Sequence, residues 1–184
     1  GDPNNLYRAI PNPSHGLGIT RDRVGSTYVY SLLPSVPDSE TPFPGEFNYA
    51  NKPVNFVSFF DALRYANWMH NGKPIGPQGV GTTETGAYDL VGGWNGLRNP
   101  DARFWLPSDN EWYKAAYYDP DTGNYRPYPT GGTVPSSVLP AFDDGNAANF
   151  RGDDGLIPTG DGNLYPMTDV GAYSSSDSAY GTFD

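Results

Sequence analysis

The chain has 184 residues, enough for one domain with its own core and too few for two ordinary domains. Its formal net charge of −10, from 21 acidic and 11 basic residues, argues against nucleic acid as a partner. Because the sequence contains no cysteine, it offers no disulfide, no thiolate nucleophile and no cysteine-ligated metal. No apolar stretch approaches the ~18 residues of a membrane-spanning helix, so we expect no membrane span.

The composition predicts a folded but loop-rich domain. Glycine (23 residues) and proline (19) are abundant, while an aromatic content of 15% is too high for a disordered chain. Many aspartates lie beside glycine or asparagine, in loops that either face water or hold hard cations through oxygen atoms. Three such loops are found at residues 143–146, 153–155 and 161–163.

Residues 1–50 are predicted to form a loop-rich arm with one strand or hairpin, because prolines surround a short β-prone stretch at 26–31. The first helix is predicted to begin after Ser58, a good N-cap, with Asp61 favourable in its first turn. Apolar residues then recur every three to four positions as far as Met69. Asn71 and Gly72 end this helix.

The second helix has the stronger start signal. Ser108 and Glu111 form a predicted capping box, in which the serine bonds forward and the glutamate reaches back. Asp119 and Pro120 end this helix. Strands are expected at residues 87–91, before the helix, and at 168–173, within a C-terminal part made of loops and short strands.

Two segments of the chain carry a family resemblance. The first spans residues 53–68 and contains the run PVNFVSFFDA, and the second spans residues 104–116 and contains the run FWLPSDNEW. In this order and spacing they resemble two sequence blocks of the formylglycine-generating enzyme/sulfatase-modifying factor family. Shorter blocks that resemble the family follow at 148–150, 168–173 and 178–184, so the resemblance covers residues 50–184.

The resemblance implies an α+β fold of a loop-rich, C-type-lectin-like kind, with two main helices and short antiparallel strands. Residues 51–184 would form the core of the domain, and residues 1–50 a variable arm of the same domain. The chain ends before the C-terminal third that the family pattern contains. We therefore expect an incomplete member of the family.

The resemblance also bears on catalysis. Catalytic members of the family oxidise a cysteine of their substrate with a copper ion held by two cysteines of their own. Because this sequence has no cysteine, we expect no copper site and no enzymatic activity from this chain. A longer parent chain would leave the question of activity open.

A calcium site is the main cofactor hypothesis. In family members one structural calcium is bound by the asparagine of an "AN" block, by the next carbonyl, and by a later acidic loop. On this sequence the resemblance places these ligands at Asn149 and Phe150, and in the loop that holds Asp161, Asn163 and Leu164. A solvated acidic loop is the alternative interpretation.

Four tryptophans and one histidine have competing interpretations. Trp68, Trp105 and Trp112 lie in or beside the helices, so we expect core positions rather than a sugar-stacking platform. Trp94 lies in a glycine-rich loop and is predicted to be an exposed ligand contact. His70 lies at a helix end, where we expect it to interact with the last carbonyls rather than to serve a catalytic triad.

These observations predict a non-catalytic binding or structural module that is secreted and works outside the cell. Its expected partners are a protein or glycan at the cell surface, with self-association or contact with a neighbouring chain. One alternative is a structural subunit of an extracellular assembly, completed by neighbouring chains. Another is a fragment of a copper-dependent formylglycine-generating oxidoreductase whose catalytic part lies outside this sequence.

Overall fold

The computed structural model of the protein describes residues 3–4, 6–7, 19–33, 48–151 and 167–182. Within these ranges the chain contains two α-helices and several short strands, which confirms the predicted α+β mixture. The helices are α1 (Phe59–His70) and α2 (Asp109–Tyr117). The chain forms two compact units, unit 1 with Gly1–Ala9 and Asn55–Pro107, and unit 2 with Ile10–Val54 and Ser108–Asp184. The division into an arm at 1–50 and a core at 51–184 stays a prediction.

Helix α1 of unit 1 begins at the predicted cap. The Asp61 N–H donates to Ser58 Oγ (3.2 Å), and the Ser58 N–H donates to the Asp61 carboxylate (3.0 Å). This reciprocal pair is a capping box, one bond more than the sequence predicts. At the other end the Asn71 N–H donates to the Asn67 carbonyl (2.9 Å), and Gly72 takes a positive φ of 82° that suits glycine after a helix.

The core of unit 1 lies between α1 and the loop that follows it. Its buried apolar side chains are those of Leu63, Ala66, Ala87, Tyr88 and Leu90. The expected strand at 87–91 is wrong, since these residues form loop and turn.

Side-chain amides explain why the 83–88 loop needs no strand partner. Asn67 Nδ2 donates to the Thr83 carbonyl (2.8 Å), while the Tyr88 N–H donates to Asn67 Oδ1 (2.7 Å). Asn71 Nδ2 donates to the Thr85 carbonyl (2.7 Å). Two asparagines of α1 and its cap therefore satisfy backbone groups of the loop that a neighbouring strand would otherwise bond.

Unit 2 contains helix α2, which begins in the predicted capping box. The Glu111 N–H donates to Ser108 Oγ (3.3 Å), and the Ser108 N–H donates to Glu111 Oε2 (2.8 Å). None of the nine residues of α2 is buried. The chain continues directly into strand β3 (Tyr118–Asp119), which pairs antiparallel with β4 (Asn124–Tyr125).

The other strands of unit 2 form two separate pairs. The predicted hairpin consists of β1 (Ile19–Val24) and β2 (Thr27–Leu32), which pair antiparallel around a turn with Gly25 at φ 63°. The pair β5 (Ser136–Ser137) and β6 (Ala147–Ala148) is parallel, unlike the antiparallel pairing that was expected throughout. Neither helix of the described ranges has the length and apolarity needed to cross a membrane.

The expected strand at 168–173 is also wrong. The Val170 N–H donates to the Asn51 carbonyl (2.9 Å), and the Ala172 N–H donates to the Asp169 carbonyl (3.1 Å), as in a turn. Asp169 Oδ1 lies 2.5 Å from Lys52 Nζ. These residues therefore form a tight turn that an ion pair stabilises. Their backbone hydrogen bonds go to a carbonyl within the turn and to the distant Asn51 carbonyl, not to a neighbouring strand.

Candidate functional site

The main candidate site is a set of aromatic rings on unit 2, which we call the tyrosine surface. Helix α2 contributes Trp112 and, one turn apart, Tyr113 and Tyr117. The β3–β4 hairpin contributes the cross-strand pair Tyr118 and Tyr125. The last member comes from a distant loop, Tyr180.

The rings of the tyrosine surface contact one another in an unbroken series. Tyr113 stacks on Tyr117 with ring centroids 4.8 Å apart, and on Tyr125 at 5.0 Å. Tyr125 meets the Tyr118 ring at 5.2 Å, and Tyr118 in turn stacks on Tyr180 at 6.4 Å. At the helix end of the series Trp112 lies edge-on to Tyr117 at 6.0 Å.

Four of the six rings are open to solvent, while Tyr117 and Tyr118 are half-buried. The exposed fraction of the residue is 56% for Trp112, 46% for Tyr113, 50% for Tyr125 and 47% for Tyr180. Such a contiguous exposed aromatic area is unusual on a soluble protein and marks an interaction surface. The ammonium of Lys114 lies 5.4 Å from the centroid of the Tyr118 ring, so the surface already accommodates a cation.

An ion pair between the half-buried Arg126 and the buried Asp119 holds the hairpin that carries Tyr118 and Tyr125. Arg126 donates from Nε (3.0 Å) and Nη2 (2.9 Å) to Asp119 Oδ2, and the Asp121 N–H donates to Asp119 Oδ1 (2.9 Å). The bond from Arg126 holds the pKa of Asp119 below its ordinary value, against the opposing effect of burial. The carboxylate therefore fixes both the turn and the strand that follows it.

We predict that acid loosens this hairpin through Asp119. Because the pKa of Asp119 is depressed in the folded state, its stabilisation is present above the ordinary carboxyl pKa of ~3.9 and is lost as the pH falls through the folded value. Denaturant unfolding between about pH 2 and pH 5 should show a shallower pH slope for Asp119→Asn than for the parent chain. Asp121→Asn, at an exposed carboxylate of the same turn, should keep the parent slope, and an unchanged slope in Asp119→Asn would contradict the assignment.

The predicted contact residue Trp94 is not the exposed ring that its glycine-rich loop indicates. It is half-buried against the core of unit 1, with ring centroids 5.0 Å from Phe59 and 6.1 Å from Tyr88. Its indole Nε1–H donates to the Leu97 carbonyl (3.1 Å). The apolar neighbours explain the position, and a ligand contact at Trp94 stays a prediction.

The other tryptophans divide differently from the prediction. Trp68 is half-buried, as expected for a ring near the core, and its Nε1–H donates to the Pro74 carbonyl (3.0 Å). Trp105 and Trp112 were expected in the core, but they are 43% and 56% exposed. The guanidinium of Arg98 lies over the Trp105 ring at 4.5 Å, and Trp112 belongs to a helix without buried residues.

His70 also departs from the prediction. Its ring accepts a hydrogen bond rather than donating one to the helix carbonyls, since the Arg103 N–H donates to His70 Nδ1 (3.1 Å). The guanidinium of Arg103 donates to the His70 carbonyl. An arginine from a following loop therefore closes the C-terminus of α1 in place of the histidine.

The calcium hypothesis falls partly within the described residues. Asp161, Asn163 and Leu164 lie outside them. Of the other two ligands, Phe150 has a carbonyl oxygen that accepts from Ser137 Oγ (2.5 Å), and a carbonyl oxygen has two lone pairs. The side chain of Asn149 contains an amide oxygen. Oxygen donors of this kind fit calcium, although the described ranges contain no group of three histidine or acidic side chains that could hold a metal.

Comparison with known proteins decides the family. A family model of the sulfatase-modifying factor enzyme 1-like domain matches residues 27–184. The chain belongs to this family. The match begins at the first residue of β2, earlier than residue 50, where the recognisable sequence blocks start. Searches of curated proteins and of solved structures found no match.

Membership in the sulfatase-modifying factor family does not bring the copper chemistry with it. The copper ligands that the resemblance implies are cysteines, and this chain has none among its 184 residues. The donor set therefore does not fit that copper site. The family match includes α2, the β3–β4 hairpin and Tyr180, so the whole tyrosine surface lies within the family domain.

Sequence reasoning missed the tyrosine surface. Its local signals were the i, i+4 spacing of Tyr113 and Tyr117 and the short separation of Tyr118 from Tyr125 across a turn with glycine. Nothing in the sequence linked Tyr180 to these residues. The stacking across elements becomes visible only once the hairpin and the C-terminal loop are placed beside α2.

Proposed function

We propose that the chain is a non-catalytic binding module on a C-type-lectin-like scaffold, and that the tyrosine surface binds a basic segment of another protein. The observation that carries the proposal is the unbroken series of six rings on unit 2, from Trp112 to Tyr180, of which four are exposed. Tyrosine and tryptophan are enriched at protein interfaces because they provide large, stiff, amphipathic contact area.

The stacking geometry favours a protein over a sugar as the partner. Tyr113 stacks on both Tyr117 and Tyr125, so part of its ring is covered within the surface. A stack of tyrosines presents ring edges and phenolic hydroxyls to a partner. These groups suit the mixed polar and apolar side chains of a protein.

Charge selects a basic partner. The chain has a net charge of −10, so a second copy of itself is repelled at long range and a cationic partner is attracted. Two exposed acids lie by the surface, Asp109 one helical turn before Tyr113, and Asp121 in the turn between β3 and β4. An arginine of the partner would add cation–π contact with the rings, as Lys114 already does with Tyr118.

The test is binding of a synthetic peptide that alternates arginine and glycine, followed by calorimetry. Removing both exposed rings in Trp112→Ala/Tyr113→Ala should weaken binding by about tenfold or more, as expected for aromatic hot spots. Neither residue is buried, so the variant should keep the fold. Tyr65→Ala, at a tyrosine of unit 1 that is 62% exposed, is the matched control and should bind like the parent.

Several outcomes would overturn the proposal. Equal binding of a glutamate–glycine peptide would show that charge does not select the partner. Unchanged affinity in the double variant would place the contact elsewhere. Oxygen consumption by this chain with a cysteine-bearing peptide would show that it is an oxidoreductase and not a binding module.

The proposal also covers the localisation of the protein. We place its action outside the cell, where calcium is abundant enough to occupy the weak sites that are typical of extracellular modules. The oxygen donors Asn149 and Phe150 support calcium as a structural ion, together with the loop that holds Asp161, Asn163 and Leu164.

A further inference from the structure

Unit 1 carries an open groove of about 380 Å³ that has no part in the tyrosine surface. Two stretches of loop line it, residues 85–89 on one side and 95–100 on the other. The groove is as large as the smaller ligand pockets of proteins. Five of its eight lining residues carry polar side chains, and Leu97 and Pro100 contribute apolar area. The five polar residues are Thr85, Asp89, Asn95, Arg98 and Asn99.

The two walls of the groove are tied together before any ligand binds. The Asn99 N–H donates to the Ala87 carbonyl (2.8 Å), and Asn99 Nδ2 donates to the Gly86 carbonyl (3.2 Å). The Trp94 indole fixes the far wall through the Leu97 carbonyl (3.1 Å). A groove held in this way loses little conformational entropy when it binds, which favours affinity for a small ligand.

Local turns also fix the polar side chains of the lining. Asp89 Oδ1 accepts from the Val91 N–H (3.0 Å), and Asn95 Oδ1 accepts from the Leu97 N–H (2.9 Å). Each of these hydrogen bonds uses only one polar atom of the side chain. The second carboxylate oxygen of Asp89 can still accept a hydrogen bond from a ligand, and the amide nitrogen of Asn95 can still donate one.

The charge and polarity of the lining select a neutral, hydroxyl-rich ligand. Asp89 and Arg98 both line the groove and carry opposite charges, so the lining has no net charge that would favour an ion of either sign. A hydroxyl both donates and accepts, and therefore satisfies a carboxylate and an amide alike. Leu97, which is 67% exposed, provides an apolar surface for the C–H face of a sugar ring.

From these features we infer that the groove of unit 1 binds a neutral saccharide of one or two sugar units. The inference is independent of the proposed function, because the groove lies in unit 1 and the tyrosine surface in unit 2. Loss of the rings in Trp112→Ala/Tyr113→Ala should leave saccharide binding unchanged. The two proposals can therefore fail separately.

The test is titration of the full chain with the α-1,4- and β-1,4-linked disaccharides of glucose, with glucuronic acid as an anionic control, followed by NMR of backbone amides. Shifts confined to residues 85–100 and a dissociation constant of about 1 mM or lower are expected for one of the disaccharides. Asp89→Asn keeps the size of the side chain and removes an acceptor, so it should weaken binding by about tenfold. Asp101→Asn, at an exposed acid that does not line the groove, should bind like the parent.

Three results would overturn the inference. One is the absence of amide shifts at 85–100 with both disaccharides. Another is unchanged affinity in Asp89→Asn, with its melting temperature confirming that it is folded. The third is tighter binding of glucuronic acid than of either neutral sugar, which would mean that Arg98 makes the groove an anion site.

Discussion

Replacing Leu63 by alanine is expected to lower the free energy of unfolding by about 2–5 kcal/mol. The residue is 1% exposed and lies in the centre of the unit 1 core. Two of its buried neighbours, Ala66 and Ala87, are too small to move into the space that the lost atoms leave. A cavity should therefore remain, and the cost should lie well above that of an ordinary surface change.

Denaturant unfolding followed by tryptophan fluorescence measures this loss, since Trp94 packs against the same core. Tyr65→Ala, on the exposed face of the same helix at 62% exposure, is the control and should cost less than about 1 kcal/mol. If both variants lose the same stability, α1 is not packed on the loop that holds Tyr88, and the core of unit 1 is assigned wrongly.

The sequence predicted the helices better than any other part of the fold. Ser58 and Ser108 have side chains that cap helices through bonds within four residues, so local sequence determines where α1 and α2 begin. The two failed strands depend on distant partners. Residues 87–91 are held by Asn67 of α1, and the turn around Val170 bonds to Asn51, and neither partner can be found from a local pattern.

The candidate site divides in the same way. Trp94 lies in a glycine-rich loop, which indicates exposure, but the ring turns onto Phe59 and Tyr88 because burial of its large apolar area outweighs the freedom of the loop. Trp112 shows the opposite case. Tryptophan is usually well buried, but Trp112 lies on a helix in which no residue is fully buried. The residue types pointed to tryptophans as candidate contact residues, but which of them are exposed could be seen only in the structure.

Calcium is expected to stabilise the chain through Asn149, Phe150 and the acidic loop at 161–164. A ligand that binds only the folded state adds about 2.7 kcal/mol of stability at a concentration 100 times its dissociation constant. The thermal midpoint should therefore rise on addition of calcium and fall when a chelator removes it. Magnesium should give a smaller rise, because it demands a tighter octahedral arrangement than carbonyl and amide oxygens of a loop provide.

The decisive measurement is the calcium response of variants rather than their stability alone. Asn149→Ala removes one proposed ligand and should abolish the rise in melting temperature, even where the variant itself is less stable. Asp161→Asn removes the charge that we assign to the same ion and should weaken the response, while Asp101→Asn in unit 1 should keep it. Since the hydroxyl of Ser137 bonds the Phe150 carbonyl, Ser137→Ala frees that oxygen and should leave calcium binding intact. A melting temperature that does not move with calcium or chelator in the parent chain would refute the site, and the acidic loop would then be a solvated one.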